Sequence, residues 1–156
     1  MSRTRWIWKA ALAGLCGTAA HSLLMYVKFR MGWLPSFQPY RTLQDALAQW
    51  AGNDVHPAVP WAMSFINGSA VLSFVFGRIY RRIPGRNGAV KGLVYGIFGW
   101  LAVGCLFFPL LGLGPFASGI GLGMAPALFS LAMLLAYSIV LGLVYAALDS
   151  PRPGPS

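Results

Sequence analysis

Residues 124–148 of the chain read MAPALFSLAMLLAYSIVLGLVYAAL and contain no lysine, arginine, aspartate or glutamate. A helix of about 20 apolar residues spans the roughly 30 Å hydrocarbon core of a bilayer. The stretch lacks the alternation of polar and apolar residues that marks the strand of a membrane barrel. It therefore predicts a transmembrane helix, and with it the fold class.

Three further apolar stretches have the same character. They run from Ala10 to Phe29, from about Ala58 to Ile79 and from about Gly92 to Leu111. Their only charged residues, Lys28 and Arg78, stand near ends from which long side chains can reach water. The sequence thus predicts an all-α integral membrane protein, a four-transmembrane-helix bundle in a single domain over residues 1–148. A disordered tail is predicted over residues 149–156.

The composition agrees with a hydrocarbon environment. Of the 156 residues, 57% are hydrophobic and 10% are charged, whereas soluble domains average about 25% charged residues. The net charge of +9 would indicate nucleic acid in a soluble protein. Here the basic residues flank apolar stretches, so we expect the lipid bilayer as partner and no nucleic acid. Cys16 and Cys105 lack a CxxC pattern and are interpreted as small packing residues.

Basic residues are distributed unevenly between the two sides of the predicted bundle. One side, which includes both termini, carries nine of the twelve lysines and arginines. The other side carries three: Lys28, Arg30 and Arg41. The positive-inside rule places the richer side in the cytoplasm. We therefore predict a multi-pass protein of the bacterial inner membrane with both termini cytoplasmic.

The connection over residues 30–57 is predicted to contain a short amphipathic helix from Tyr40 to Trp50. Its apolar positions share one helical face: Leu43, Ala46, Leu47 and Trp50. Thr42 and Asp45 resemble a capping box at its start. The apolar face is expected to lie on the outer membrane surface or to dock over the bundle.

The four stretches also read as two copies of a helix pair. The first and third begin with the same spacing of a lysine and two glycines: Lys9, Gly14, Gly17 and Lys91, Gly96, Gly99. The second and fourth end in VFGRIY at 75–80 and VLGLVY at 140–145. Because both pairs run in the same direction, the pattern indicates a parallel repeat. Duplication and convergence both account for so short a likeness.

These same segments carry a resemblance to a known family. They are residues 14–25, Leu34-Pro35 with the short helix, and the motifs at 76–80, 91–96, 109–112 and 140–145. On them the chain resembles a bacterial family of small four-helix membrane proteins known only as a domain of unknown function. The resemblance implies the fold and no activity. It also implies a histidine in the last span where this chain has Leu134, so a role for that histidine is in doubt here.

Glycines provide the first candidate sites. Gly92 and Gly96 form a GxxxG motif extended by Gly99, and Gly14 and Gly17 belong to small-xxx-small pairs. Small residues let helix backbones approach closely. Packing inside the bundle is the simpler interpretation, and an interface with a second copy or another protein is the functional one.

Polar residues within the stretches form the second candidate site. His21 and Asn67 each lie about nine residues from the outer end of their helix, which places both roughly 13 Å deep at 1.5 Å per residue. Tyr137 lies about one turn deeper. We expect His21 and Asn67 to face each other, either as an interhelical hydrogen bond or as a proton-responsive or ligand-binding site. Haem ligation is a third alternative, although His56 lies too shallow to share an iron with His21.

Other chemistry finds little basis in the sequence. All three acids, Asp45, Asp54 and Asp149, lie outside the apolar stretches, so a carboxylate pair or relay is not expected. No HExxH, GxSxG or phosphate-loop motif occurs. We predict neither catalytic residues nor a metal or cofactor.

The short basic connection is a third candidate site. Arg81, Arg82 and Arg86 could hold anionic lipid headgroups, or they could serve as a topology signal alone.

The sequence leaves three functions open. The first is a non-enzymatic accessory subunit that packs in a larger membrane complex or forms a homo-oligomer. The second is a small oligomeric transporter or channel for a neutral or hydrophobic solute. The third is a redox subunit that binds a lipid, quinone or haem.

Overall fold

A computed structural model describes residues 3–150, and that range is helical without a strand. Its α-helices are α1 (Arg3–Met31), α2 (Pro39–Ala51), α3 (Ala58–Ile66), α4 (Ser73–Ile79), α5 (Gly88–Ala102), α6 (Phe108–Leu110) and α7 (Ala125–Asp149). Two wide π-helical turns interrupt the second and third long helices: π1 (Asn67–Leu72) and π2 (Val103–Phe107). A 3₁₀ segment (Pro115–Ile120) precedes α7.

Four helices are long and apolar enough to cross a membrane. These spans are Arg5–Met31, Ala58–Ile79, Gly88–Leu110 and Ala125–Asp149, which confirms the number and the approximate positions predicted from the sequence. The last span includes Asp149, which the sequence had assigned to the tail. Residues 151–156 of that predicted tail lie outside the described residues.

Helices α1 and α7 pack along each other at the centre of the bundle, the second span packs on α1, and α5 packs on α7. Both ends of the described chain meet on one side, where Lys9 Nζ lies 2.7 Å from Asp149 Oδ1. We call this the terminal side, and we call the opposite side, which carries α2, the loop side.

Aromatic residues hold the terminal half together. Phe76 is fully buried, and its ring packs edge-on against Tyr95 and Tyr145, with centroids 5.1 and 5.8 Å away. The Tyr95 hydroxyl donates to the Leu72 carbonyl at 2.8 Å. These contacts join the second and third spans on the terminal side.

Lys28 does not reach water, contrary to the sequence-based expectation. Its side chain is only 6% exposed. The ammonium donates to the carbonyls of Phe37 at 2.7 Å and Leu34 at 3.3 Å. It also lies over the Phe37 and Phe129 rings, 5.9 and 5.8 Å from their centroids. Lys28 turns inward because the chain after α1 folds back and presents two carbonyls and two ring faces to it.

The amphipathic helix forms as predicted and docks over the bundle, but its start differs. Helix α2 begins at Pro39, a residue suited to a first helical turn. The Thr42 hydroxyl donates back to the Gln38 carbonyl, so no capping box forms with Asp45. Trp50, predicted on the docked face, is 81% exposed.

Close helix contacts recur in the two helix pairs at positions that the sequence repeat relates. Between α1 and the second span, Gly14 contacts Ser73 and Gly77 contacts Ala10. Between α5 and α7, the corresponding contacts are Gly96 with Ser138 and Gly142 with Gly92.

Candidate functional site

The predicted packing glycines lie at contacts inside the chain, with one exception. A Cβ atom on Gly92 would overlap the Ser138 carbonyl, and one on Gly96 would overlap the Ser138 hydroxyl. Gly14 and Gly17 are blocked in the same way by Ser73 and by the backbone and ring of Tyr137. Gly99 has no atom within 4 Å of its added Cβ, so it is not a packing contact. The close contacts are therefore used within one subunit and are not available to a second copy.

The loop half of the bundle contains a cavity of about 460 Å³. All three predicted polar residues, His21, Asn67 and Tyr137, line it. Depth counted along each helix had placed His21 and Asn67 at the same level, with Tyr137 about one turn deeper. Helix α2 contributes to the lining on the loop side through Tyr40 and Leu43.

His21 bonds to α2 and not to Asn67. His21 Nε2 lies 3.2 Å from the Tyr40 hydroxyl, which lies 2.8 Å from Ser64 Oγ. Burial raises the pKa of Tyr40, and the weaker effect of its hydrogen bond to Ser64 opposes this. Tyr40 thus stays a neutral phenol that joins α1, α2 and α3. The expected pair of His21 and Asn67 does not form, because the docking of α2 brings the Tyr40 hydroxyl to His21 instead.

Thr18 is a polar residue of the cavity that was not singled out from the sequence. It lines the cavity, is 4% exposed, and its hydroxyl has no hydrogen-bond partner. No other buried side-chain oxygen or nitrogen in the described range is unpaired. By contrast, the Tyr137 hydroxyl donates to the Gly68 carbonyl at 2.5 Å, and Ser130 Oγ donates to the Ala127 carbonyl at 2.9 Å. The one sequence signal for Thr18 is its position, one helical turn before His21 on α1.

The rest of the cavity wall is mainly apolar and includes four phenylalanines. Phe37 packs edge-on against Phe108 and Phe129, with centroids 5.7 and 6.5 Å away. Leu134, where the family resemblance implies a histidine, also lines the cavity. No lysine, arginine, aspartate or glutamate contributes to the wall. The cavity therefore fits an uncharged, mainly apolar molecule that carries a hydrogen-bonding group.

The basic candidate site divides in the structure. Arg81 and Arg82 line a pocket on the terminal side together with Arg78, whereas Arg86 lies outside it. Asp149 also lines this pocket and is paired with Lys9. Burial, with a smaller effect of the Asp149 charge, raises the pKa of the neighbouring Tyr80.

Possible metal ligands are dispersed. Over residues 3–150, no group of three or more His, Cys, Asp or Glu side chains is placed to hold a metal ion. Cys16 and Cys105 are free and exposed. His56 Nδ1 accepts from the Ala58 amide at 3.2 Å.

Four long apolar helices around a mainly apolar cavity give this chain the architecture of a multi-pass membrane protein. The chain belongs to DUF6789, a family of unknown function whose model matches residues 4–155. This confirms the predicted resemblance to a family known only as a domain of unknown function. No curated protein and no solved structure matches the chain.

Proposed function

We propose that this chain is a non-enzymatic integral membrane protein that binds a neutral, lipid-soluble molecule in the cavity beneath α2. The observation that carries the proposal is the buried, unpaired hydroxyl of Thr18 in the cavity wall. A buried polar group without a partner costs about 1–3 kcal/mol. The oxygen faces the backbone at Gly68, and rotation of the Thr18 side chain turns it toward the cavity that this residue lines. A ligand that then hydrogen-bonds to it removes that cost and so binds preferentially at this end.

Size and charge support the same conclusion. Ligand cavities in proteins typically measure about 300–1,000 Å³ and combine apolar walls with a few polar groups. The cavity here, of about 460 Å³, fits that description. A charged ligand would lose its hydration without meeting an opposite charge, which costs several kcal/mol.

The alternatives from the sequence have less support. Self-association through Gly92 and Gly96 competes with their contacts to Ser138 in the same chain. Haem binding competes with the contact between His21 Nε2 and Tyr40. Transport of the neutral molecule is a second candidate, favoured by the matching contacts of the two helix pairs. Transport through a parallel repeat occurs by motion of one helix pair against the other.

Thr18→Val tests the ligand-binding proposal. The substitution keeps the shape of the side chain and removes its hydroxyl. We expect the fraction of protein that retains a neutral molecule, measured by native mass spectrometry after gentle extraction, to fall about 5–10-fold for the loss of about 1–1.4 kcal/mol. Ligand-free T18V should melt at a higher temperature than ligand-free wild type, because no hydroxyl is left unpaired.

Thr42→Val is the matched control. Its hydroxyl bonds to Gln38 on the surface of α2 and does not line the cavity. T42V should retain the molecule like wild type. Equal retention by T18V and wild type, or no neutral molecule in either, would contradict the proposal.

We also propose that the protein lies in a bacterial inner membrane with its terminal side in the cytoplasm. The excess of basic residues on that side supports this orientation. In a variant with Cys16 and Cys105 replaced by serine, a cysteine at Asn53 should react with an impermeant maleimide in spheroplasts. A cysteine at Arg86 should react only after lysis, and the reverse pattern would invert the topology.

A further inference from the structure

We infer that the ligand is a long-chain neutral lipid, with its head at Thr18 and its chain leaving the cavity between the second and third spans. This inference rests on the proposed function and names the class of molecule and its route. The juxtaposition that carries it is a cavity with a polar end inside the bundle and an opening on the lipid-facing side.

The opening lies between two spans. Met63 and Asn67 on the second span and Phe107 on the third all line the cavity and are also exposed, Met63 by 44% and Phe107 by 37%. All three residues lie within the span bounds. A molecule at this opening therefore meets the hydrocarbon of the bilayer and not bulk water.

The two helix pairs show why the bundle is open here. Between α1 and α7, Gly17 packs against Tyr137 and closes the interface. At the position that the repeat relates to Gly17, Gly99 has no atom within 4 Å of its added Cβ. Gly99 stands one turn after Tyr95 and one turn before Val103, on the face of α5 that meets the second span. The second and third spans are thus joined on the terminal side through Tyr95 and are apart towards the loop side.

Both edges of the opening contain a π-helical turn. Turn π1 begins at Asn67, and turn π2 runs from Val103 to Phe107. Such turns concentrate at functional positions in helices. The side chain of Asn67 makes no hydrogen bond to the described part of the chain, although it lies in a span. Its amide offers two donors and an acceptor to a molecule that enters.

Charge and depth restrict the ligand to neutral lipids. The polar end of the cavity lies near the middle of the spans, so a phospholipid would have to bring its charged headgroup away from the interface. That transfer is unfavourable because no charged residue lines the wall. A head with a hydroxyl, ester or ketone group suffers no such penalty. Its chain can stay in the bilayer, so the ligand need not fit whole inside about 460 Å³.

Photoaffinity labelling of the full chain in nanodiscs tests this inference. The probe is dioleoylglycerol with a diazirine at mid-chain, and the control is phosphatidylcholine with the same labelled chain. We expect the diacylglycerol probe to label residues 63–67 and 103–107 at least fivefold over the control. A large amount of unlabelled dioleoylglycerol should reduce labelling by the probe to the level of the control.

The other outcomes separate the route from the function. Competed labelling on α2 or on residues 32–38 would retain lipid binding and overturn the route between the spans. Equal labelling by both probes, without competition, would overturn diacylglycerol-like lipids as the class. The T18V retention experiment would then decide separately whether the cavity binds any neutral molecule.

Discussion

Gly92→Leu is expected to prevent the bundle from forming its native packing. The added side chain would have to occupy the space of the Ser138 carbonyl, and backbone in the centre of a helix pair cannot yield as a flexible side chain can. Overpacking of this kind costs about 1–3 kcal/mol and sometimes more. For a chain of this size, we expect a melting temperature lower by about 5–10 °C. Thermal unfolding in detergent, followed by intrinsic fluorescence, measures the shift.

Gly99→Leu is the control for this experiment. It makes the same change on the same helix, two turns further on, where an added Cβ meets nothing within 4 Å. Its melting temperature should stay within about 2 °C of wild type, consistent with the small effects of substitutions away from tight contacts. If G92L melted like wild type but lost a homo-oligomer, Gly92 would belong to an interface between subunits. That result would restore the self-association hypothesis.

Lys28→Met is expected to release the segment between α1 and α2 from the bundle. The variant leaves the Phe37 carbonyl without its charged donor, at a cost of about 1–3 kcal/mol for an unsatisfied buried group. The Leu34 carbonyl loses its bond to the ammonium and keeps the one from the Phe37 amide. Relief of the buried charge offsets only part of this, because Lys28 lies near the end of its span and a similar apolar chain cannot replace its hydrogen bonds. Amide hydrogen exchange over residues 33–38 should accelerate at least tenfold, the equivalent of about 1.4 kcal/mol.

Retention of the neutral molecule should fall in the same variant, because Phe37 and Tyr40 line the cavity. Arg30→Met is the matched control. Arg30 lies two residues after Lys28 and is exposed, so this variant removes a charge without removing a buried contact. Unchanged exchange over 33–38 in K28M would show that the ammonium does not hold this segment.

The elements predicted well are those that depend on local composition. The four apolar stretches correspond to four long helices. A helix forms all of its backbone hydrogen bonds internally, which is what an apolar environment requires. The second span even begins and ends at the predicted residues, Ala58 and Ile79. Counting residues from helix ends placed His21 and Asn67 at one level and Tyr137 about one turn deeper, and all three line one cavity.

The rest depended on tertiary contacts that no local pattern encodes. Gly17 and Gly99 occupy the same place in the repeated motif, yet one meets Tyr137 and the other meets nothing. Lys28 was predicted to extend to water, but its ammonium donates to the Phe37 carbonyl of the chain that folds back after α1. Tyr40 became the partner of His21 because α2 docks over the bundle. The π-helical turns have no sequence signal that we could have used.

Those turns have a consequence for how such a bundle diverges. A π turn holds one residue more than the α-helical turn it replaces, and one residue corresponds to a rotation of roughly 100° about the helix axis. Deletion of a single residue within 67–72 would therefore swing Met63 and Ser64 away from their present neighbours while Ser73 and Phe76 kept theirs. Insertions and deletions at this point can thus rotate the half of the helix that lines the cavity, independently of the half that glycines and tyrosines hold in place.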